Sequence, residues 1–210
     1  EEVKRGLSSQ GPRTTIGVDR VTWTSDSVEV VVTAPGAELT AGDDDTEAVL
    51  AWDLVARTGE PAEVAWHLHA AQQAPVVTAP ADPDVEWSVP TVAAPDVRLA
   101  RLVARGLGDL AALRMSATFA PDEVFIAGGA PWFFTLFGRD SLWAARMLLP
   151  LGTDLARGTL CTLAARQGTR TDPVTAEQPG KILHELRRQT LPLGGGVSIP
   201  PLYYGTIDAT

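Results

Sequence analysis

Cysteine is nearly absent: Cys161 is the single one in 210 residues, so no disulfide can form within the chain. Lysine is almost as scarce, with Lys4 and Lys181 the two present. The formal charge of −9 is the wrong sign for displacing counterions from a phosphate backbone. Nucleic acid and anionic membrane surfaces are set aside as partners. No apolar run approaches the ~20 residues that a membrane helix needs, and no charged leader followed by an apolar stretch opens the chain. The expectation is a soluble, cytoplasmic protein. The chain also lacks an initiator methionine and stops at Thr210 within a developing motif, so both ends are expected to be cut from a longer protein.

What is present is ordinary globular usage, 45% hydrophobic and 20% charged, which excludes collagen-like, coiled-coil and wholly disordered chains. A chain of this size can bury roughly 70% of its unfolded surface and needs no covalent staples. The first third alternates with period two. Val28, Val30 and Val32 face one way against Glu29, Val31 and Thr33. Leu50, Trp52 and Leu54 repeat the pattern, as do Val64, Trp66 and Leu68. With Thr15–Thr24 these make four expected strands. They are separated by the turn residues Pro35-Gly36, Gly42-Asp43-Asp44-Asp45 and Gly59-Glu60-Pro61, and form an antiparallel sheet or half of a β-sandwich.

Five prolines between Gln72 and Pro95 (75, 80, 83, 90 and 95) read as a linker or wrapping connection, which divides the chain into 1–95 and 96–210. Beyond it the period becomes 3.6. Asp96 is an N-cap candidate, and an apolar stripe runs from Val97 through Leu102 and Leu110 to about Met115. Further helices are expected from Ser141 to about Leu149, from Thr153 or Asp154 to near Gly168, and from about Gly180 to Arg188. The fold class is α+β, with a β module followed by helices alone.

The chemistry concentrates in three clusters. In Gly128–Ser141, the aromatics Trp132, Phe133, Phe134 and Phe137 crowd beside Arg139-Asp140 in a chain that is only 6% aromatic. Aromatic faces suit sugar rings, and a guanidinium next to a carboxylate offers fixed donors and acceptors to adjacent hydroxyls. The alternative is that Asp140 N-caps the following helix and the aromatics are core. In Thr175–Arg188, helical spacing would put Lys181, His184 and Glu185 on one face, opposite Ile182 and Leu186, lining a wet pocket or forming a solvated surface. In Tyr203–Thr210, both tyrosines of the chain precede Asp208, which could also be a helix cap.

Other features carry less. His67 and His69 share a strand face without an evident third metal ligand. Gly194-Gly195-Gly196 lacks the following Lys-Ser/Thr of a phosphate loop. There is no GxSxG elbow and no Cys/His signature, and Cys161 is placed on an apolar helix stripe, in the core.

Taken in order and spacing, PWFFTLFGRDSLWAARMLLPLG, AARQGTRTDPVTAEQPGKILHELRR and LYYGTIDAT resemble the amylo-alpha-1,6-glucosidase type of bacterial glycogen debranching enzyme, over about Val97 to Thr210. The resemblance implies a glycoside hydrolase related to glucoamylases, trehalases and invertases. Its fold would be an N-terminal antiparallel β-sandwich portion followed by the first helices of an (α/α)6 barrel. It needs no metal or cofactor and acts on glycogen or another branched α-glucan. By motif match, Arg139 and Asp140 bind hydroxyls of the terminal glucose, and Trp132 and Phe137 wall the pocket. Glu177, Lys181, His184, Glu185, Tyr203, Tyr204 and Asp208 stand around its mouth. An inverting mechanism requires an acid and a base about 6.5 to 9.5 Å apart. Both are expected beyond Thr210, with Asp208 the one candidate acid here, so the 210 residues alone are expected to be inactive. Two alternatives accompany this reading: a glucosidase of the same fold acting on another glucoside, and a non-catalytic carbohydrate-binding module.

Overall fold

The computed structural model describes residues 13–25, 27–42, 46–84 and 87–209, in two compact units divided between Ala74 and Pro75. The acidic turn at Asp43–Asp45 and the terminal residue Thr210 lie outside the described residues.

In the first unit the expected strand Thr15–Thr24 is two, β1 (Arg13–Ile16) and β2 (Arg20–Thr24). Gly17 donates its N–H to the Arg20 carbonyl at 2.8 Å and so reverses the chain. Next come β3 (Val28–Thr33), β4 (Glu38–Ala41), β5 (Ala48–Ala51) and β6 (His67–Gln72). The sheet is antiparallel in the order β1-β2-β3-β6, with Val21 opposite Val32, both buried. β4 and β5 form a separate hairpin. Trp23 and Trp52 donate their indole N–H groups to the carbonyls of Thr46 (3.0 Å) and Pro35 (3.1 Å). Alternation predicted strands at Leu50–Leu54 and Val64–Leu68. The pairing instead takes Ala48–Ala51 and His67–Gln72, because a period of two marks extended chain and ladder partners decide which part of it is sheet.

The second unit opens with β7 (Val77–Thr78), which pairs with Ser116 and Ala117, so part of the proline-rich segment read as linker is a strand of this unit. The Arg114 guanidinium holds the next part, donating to the carbonyls of Pro83 and Asp84 at 3.1 and 3.0 Å. α1 (Val97–Ala112) starts as expected, with the Asp96 carboxylate accepting the Arg98 N–H at 2.9 Å. The expectation of helices alone fails beyond it: β8 (Arg114–Ala117) and β9 (Ala120–Ile126) form a hairpin next to β7. α2 (Gly138–Met147), a 3₁₀ turn at Leu149–Leu151 and α3 (Asp154–Ala164) come next.

No helix forms at 180–188. Gly180 turns with φ +87°, and the chain then runs through β10 (Glu185–Leu186), β11 (Leu191–Gly194), β12 (Val197–Ile199) and β13 (Leu202–Tyr203). Backbone partners on both sides of 184–187 override the helical pattern, so the shared helix face expected of Lys181, His184 and Glu185 does not exist.

The core of this unit gathers Met115, Phe125, Leu136, Leu163, Leu183, Leu186 and Tyr204, and a second cluster joins Ile126, Leu148, Leu151 and Leu155. α3 lies against β9 so closely that a Cβ at Gly158 would collide with the Val124 carbonyl. Cys161, expected in the core, is exposed, because α3 buries Leu155, Gly158, Thr159, Thr162 and Leu163 instead. The described fold is α+β, with antiparallel sheets and helices.

Candidate functional site

Three short extended pieces lie side by side. Residues 135–137 lead into α2, 184–187 run between, and 201–203 lead toward Asp208. The Gly138 N–H donates to the His184 carbonyl at 3.0 Å, and the Leu186 N–H donates to the Leu136 carbonyl at 3.0 Å. The Thr135 hydroxyl donates to the Leu186 carbonyl at 2.6 Å. On the other side, the His184 and Arg187 N–H groups donate to the carbonyls of Tyr203 (2.7 Å) and Pro201 (2.6 Å). Glycine is required where α2 begins, because a Cβ at Gly138 would collide with the Leu183 carbonyl. The three sequence clusters are therefore neighbours in space.

Arg139 hangs from the start of α2 and joins two carboxylates. It donates to Asp208 at 2.7 Å and to Asp140 at 3.3 Å. All three are about two-fifths exposed, at 43%, 39% and 45% for Arg139, Asp140 and Asp208, so they are neither sealed away nor held out in bulk water. The Thr206 hydroxyl and the Arg139 guanidinium hold the Asp208 carboxyl below the usual carboxylate range, and Asp208 in turn raises Arg139. Such a carboxylate stays ionised and accepts hydrogen bonds; a general acid needs its proton retained to higher pH, the opposite shift. Asp140 is not the helix cap: Phe137 occupies that place with no side-chain cap bond, and Asp140 lies in the first turn.

On the same three segments the rings of Phe133, Phe137, His184 and Tyr203 follow one another edge to face, with centroids 5.7, 5.9 and 6.0 Å apart. Phe137 is buried in this row, whereas Trp132 is exposed. The remaining candidates hold the chain. Glu177 is buried and accepts the Thr169 N–H at 2.9 Å, which with the Arg170 contacts lowers its pKa. Lys181 donates to the carbonyls of Ala176 and Tyr204 at 3.1 and 3.3 Å. The Tyr204 hydroxyl donates to the Arg166 carbonyl at 2.6 Å, and burial pushes that phenol's pKa up. Glu185 is buried and paired with Arg187 at 2.6 Å.

Two contributors escaped the sequence reading. Thr206 was announced by its Thr-x-Asp spacing, which suits a hydroxyl–carboxylate turn. Arg187 lies two residues from Glu185, a same-face relation visible only once the segment is known to be extended. His67 and His69 share an exposed face of β6, and among the described residues no group of three or more His, Cys, Asp or Glu is arranged to hold a metal. A cleft of about 230 Å³ elsewhere in the second unit is lined by Trp87, Arg114, Glu123, Leu148, Asp154 and Arg157, among others, and by none of the candidate site residues. No helix among the described residues is long and apolar enough to cross a membrane.

Compared with known proteins, the chain matches no family model and no curated protein sequence.

Proposed function

We propose that this chain carries the glucose-recognition part of a glycoside hydrolase that debranches glycogen or a similar α-glucan by cleaving α-1,6-linked glucose, on the first helices of an (α/α)6 barrel. One observation carries the reading: the FGRDS, KILHELRR and YYGTID segments, separate in sequence, converge so that Arg139 bridges Asp140 and Asp208 at a half-exposed surface, on segments that also carry the rings of Phe137, His184 and Tyr203. A guanidinium between two carboxylates presents donors and acceptors to adjacent hydroxyls, and sugars bind through such polar groups beside aromatic faces. In this reading Arg139, Asp140 and Asp208 contact sugar hydroxyls, with Asp208 an acceptor and not the proton donor. Glu177, Lys181 and Tyr204 shape the loop that borders them.

A second reading, a carbohydrate-binding module without hydrolysis, is favoured by one feature: Asp208, the one candidate acid, has its pKa lowered by Thr206 and Arg139, which suits an acceptor and not a proton donor.

Binding of isomaltose and maltotriose, followed by NMR chemical-shift changes, tests the shared claim. Arg139→Ala and Asp140→Asn should each weaken it at least about tenfold, the loss of a charge-assisted hydrogen bond. Loss of the Asp140 charge in the first turn costs under about 1 kcal/mol of stability. Equal affinity in wild type and variants, or no binding in either, refutes the site. Release of free glucose from limit dextrin by the full-length protein separates the hydrolase from the binding module.

A further inference from the structure

Glu185 has 1% of its surface exposed, and Arg187 has a fifth of its side chain exposed. Glu185 Oε2 accepts from Arg187 Nε at 2.7 Å and lies 2.6 Å from its Nη2, a two-pronged contact inside the protein. Two charges withdrawn from water are not repaid by their mutual attraction alone, and apolar residues of similar volume serve stability as well or better. The placement of the pair points to another use. Glu185 lies in the middle of the three extended pieces, opposite Phe137 on one side and Tyr203 on the other. Arg139 follows Phe137 by two residues, and Asp208 follows Tyr203 by five. The Arg187 guanidinium also lies 6.0 Å from the centre of the Phe137 ring, within cation–π range.

We propose that Glu185 and Arg187 are a positioning pair: they lock the middle strand against the Phe137 and Tyr203 segments and thereby set the separation of Arg139 from Asp208. Glu185 then acts through its neighbours and touches no sugar, contrary to the role its motif suggested. The ligand arm of the test rests on the carbohydrate reading above; the structural arm does not. A recognition group misplaced by about 1 Å loses on the order of a hundredfold where geometry is demanding, and a surface hydroxyl contact is less demanding than a reacting centre.

The variants are Glu185→Gln, Arg187→Lys and the double replacement Glu185→Met/Arg187→Leu. The first readout is carbon-13 NMR titration of the Asp208 carboxyl, which is lowered first by the Thr206 hydroxyl two residues away and then by Arg139, so that a change with Thr206 kept reports the nearness of Arg139. The second is affinity for isomaltose. In Glu185→Gln, Asp208 should titrate closer to the ordinary aspartate value, and affinity should fall about tenfold. Arg187→Lys, which keeps the charge and loses the fork, should fall between that variant and wild type. The double variant should melt at or above the wild-type temperature and still show the moved titration, which separates positioning from stability. It also carries the test if a single variant does not fold. An unchanged Asp208 titration in the folded double variant overturns the proposal whatever the affinity does. Unchanged affinity, where the wild type does bind, overturns it as well. A wild type that binds no sugar sinks the carbohydrate reading and leaves the pair to be judged by the titration.

Discussion

Replacing Gly158 by alanine probes how closely α3 lies on the sheet. A Cβ there would collide with the Val124 carbonyl and stand 2.8 Å from the Val124 nitrogen. Both are backbone atoms of β9, which cannot swing aside as the end of a side chain can. In an open helix the same change stabilises, because alanine is about 1 kcal/mol better than glycine. Gly106 and Gly108 in α1 have nothing within 4 Å of a built Cβ and supply that comparison. At Gly158 the gain is set against overpacking, which costs about 1–3 kcal/mol, and a backbone collision belongs at the top of that range. The net effect is a loss of about 2 kcal/mol. A chain of this length shifts roughly 2–4 °C per kcal/mol. Gly158→Ala should therefore melt roughly 4–8 °C below wild type, and Gly106→Ala and Gly108→Ala each roughly 2–4 °C above it, followed by circular dichroism at 222 nm. A Gly158→Ala protein that melts at or above wild type would refute the tight contact between α3 and β9.

Two more outcomes rest on single groups. Ser141 is fully buried and donates to the Ile126 carbonyl at 2.7 Å, so Ser141→Ala should cost about 1–3 kcal/mol in urea denaturation by leaving that carbonyl unpaired; an unchanged midpoint would show the bond to be dispensable. Asp208, lowered by Thr206 and Arg139, contributes stability that is present above the unfolded-state value near 4 and is lost as pH falls through the folded one. The sugar binding proposed for Arg139 should accordingly stay level from neutral pH down to about 4 and decline below it. A decline centred between pH 5 and 7 would mean that the carboxyl is raised, not lowered.

Much of the second unit's helical content was legible, because each helix carries its own signals. Asp96 is a cap whose carboxylate meets the Arg98 N–H, and Pro150 with Gly152 closes the stretch after α2. The sheet around the site was not legible. Glu185 and Leu186 read as helix because Lys181, Ile182, His184 and Glu185 fit a 3.6 period, yet the partners that make them a strand lie at Phe137 and at Leu202–Tyr203, outside any local window. β8 and β9 were lost because Arg114–Ile126 is short, mixed in polarity and buried on both sides in places, which defeats a test based on alternation. Of the site, the clusters could be read and their mutual contacts could not. The sequence singled out Arg139, Asp140 and Asp208, but their bridging depends on tertiary pairing. Glu177, Lys181, Tyr204 and Glu185 look alike in sequence as polar groups in a motif. Burial and hydrogen bonds alone separate them from those that face solvent.

The contacts that close the Arg139 centre join parts of the chain that are remote from one another: Thr135 reaches Leu186 across 51 residues, and Arg139 reaches Asp208 across 69. Closing such loops carries an entropy cost that grows with their length, and remote pairings are slow to form. The β8–β9 hairpin and the neighbouring helices α2 and α3 are nearly contiguous and assemble under no such handicap. A chain caught midway through folding would therefore already show ordinary secondary structure while the Arg139 cluster was still in pieces. The bridge from Arg139 to Asp208 is the last contact this molecule closes on folding, and the first it surrenders when the long connections let go.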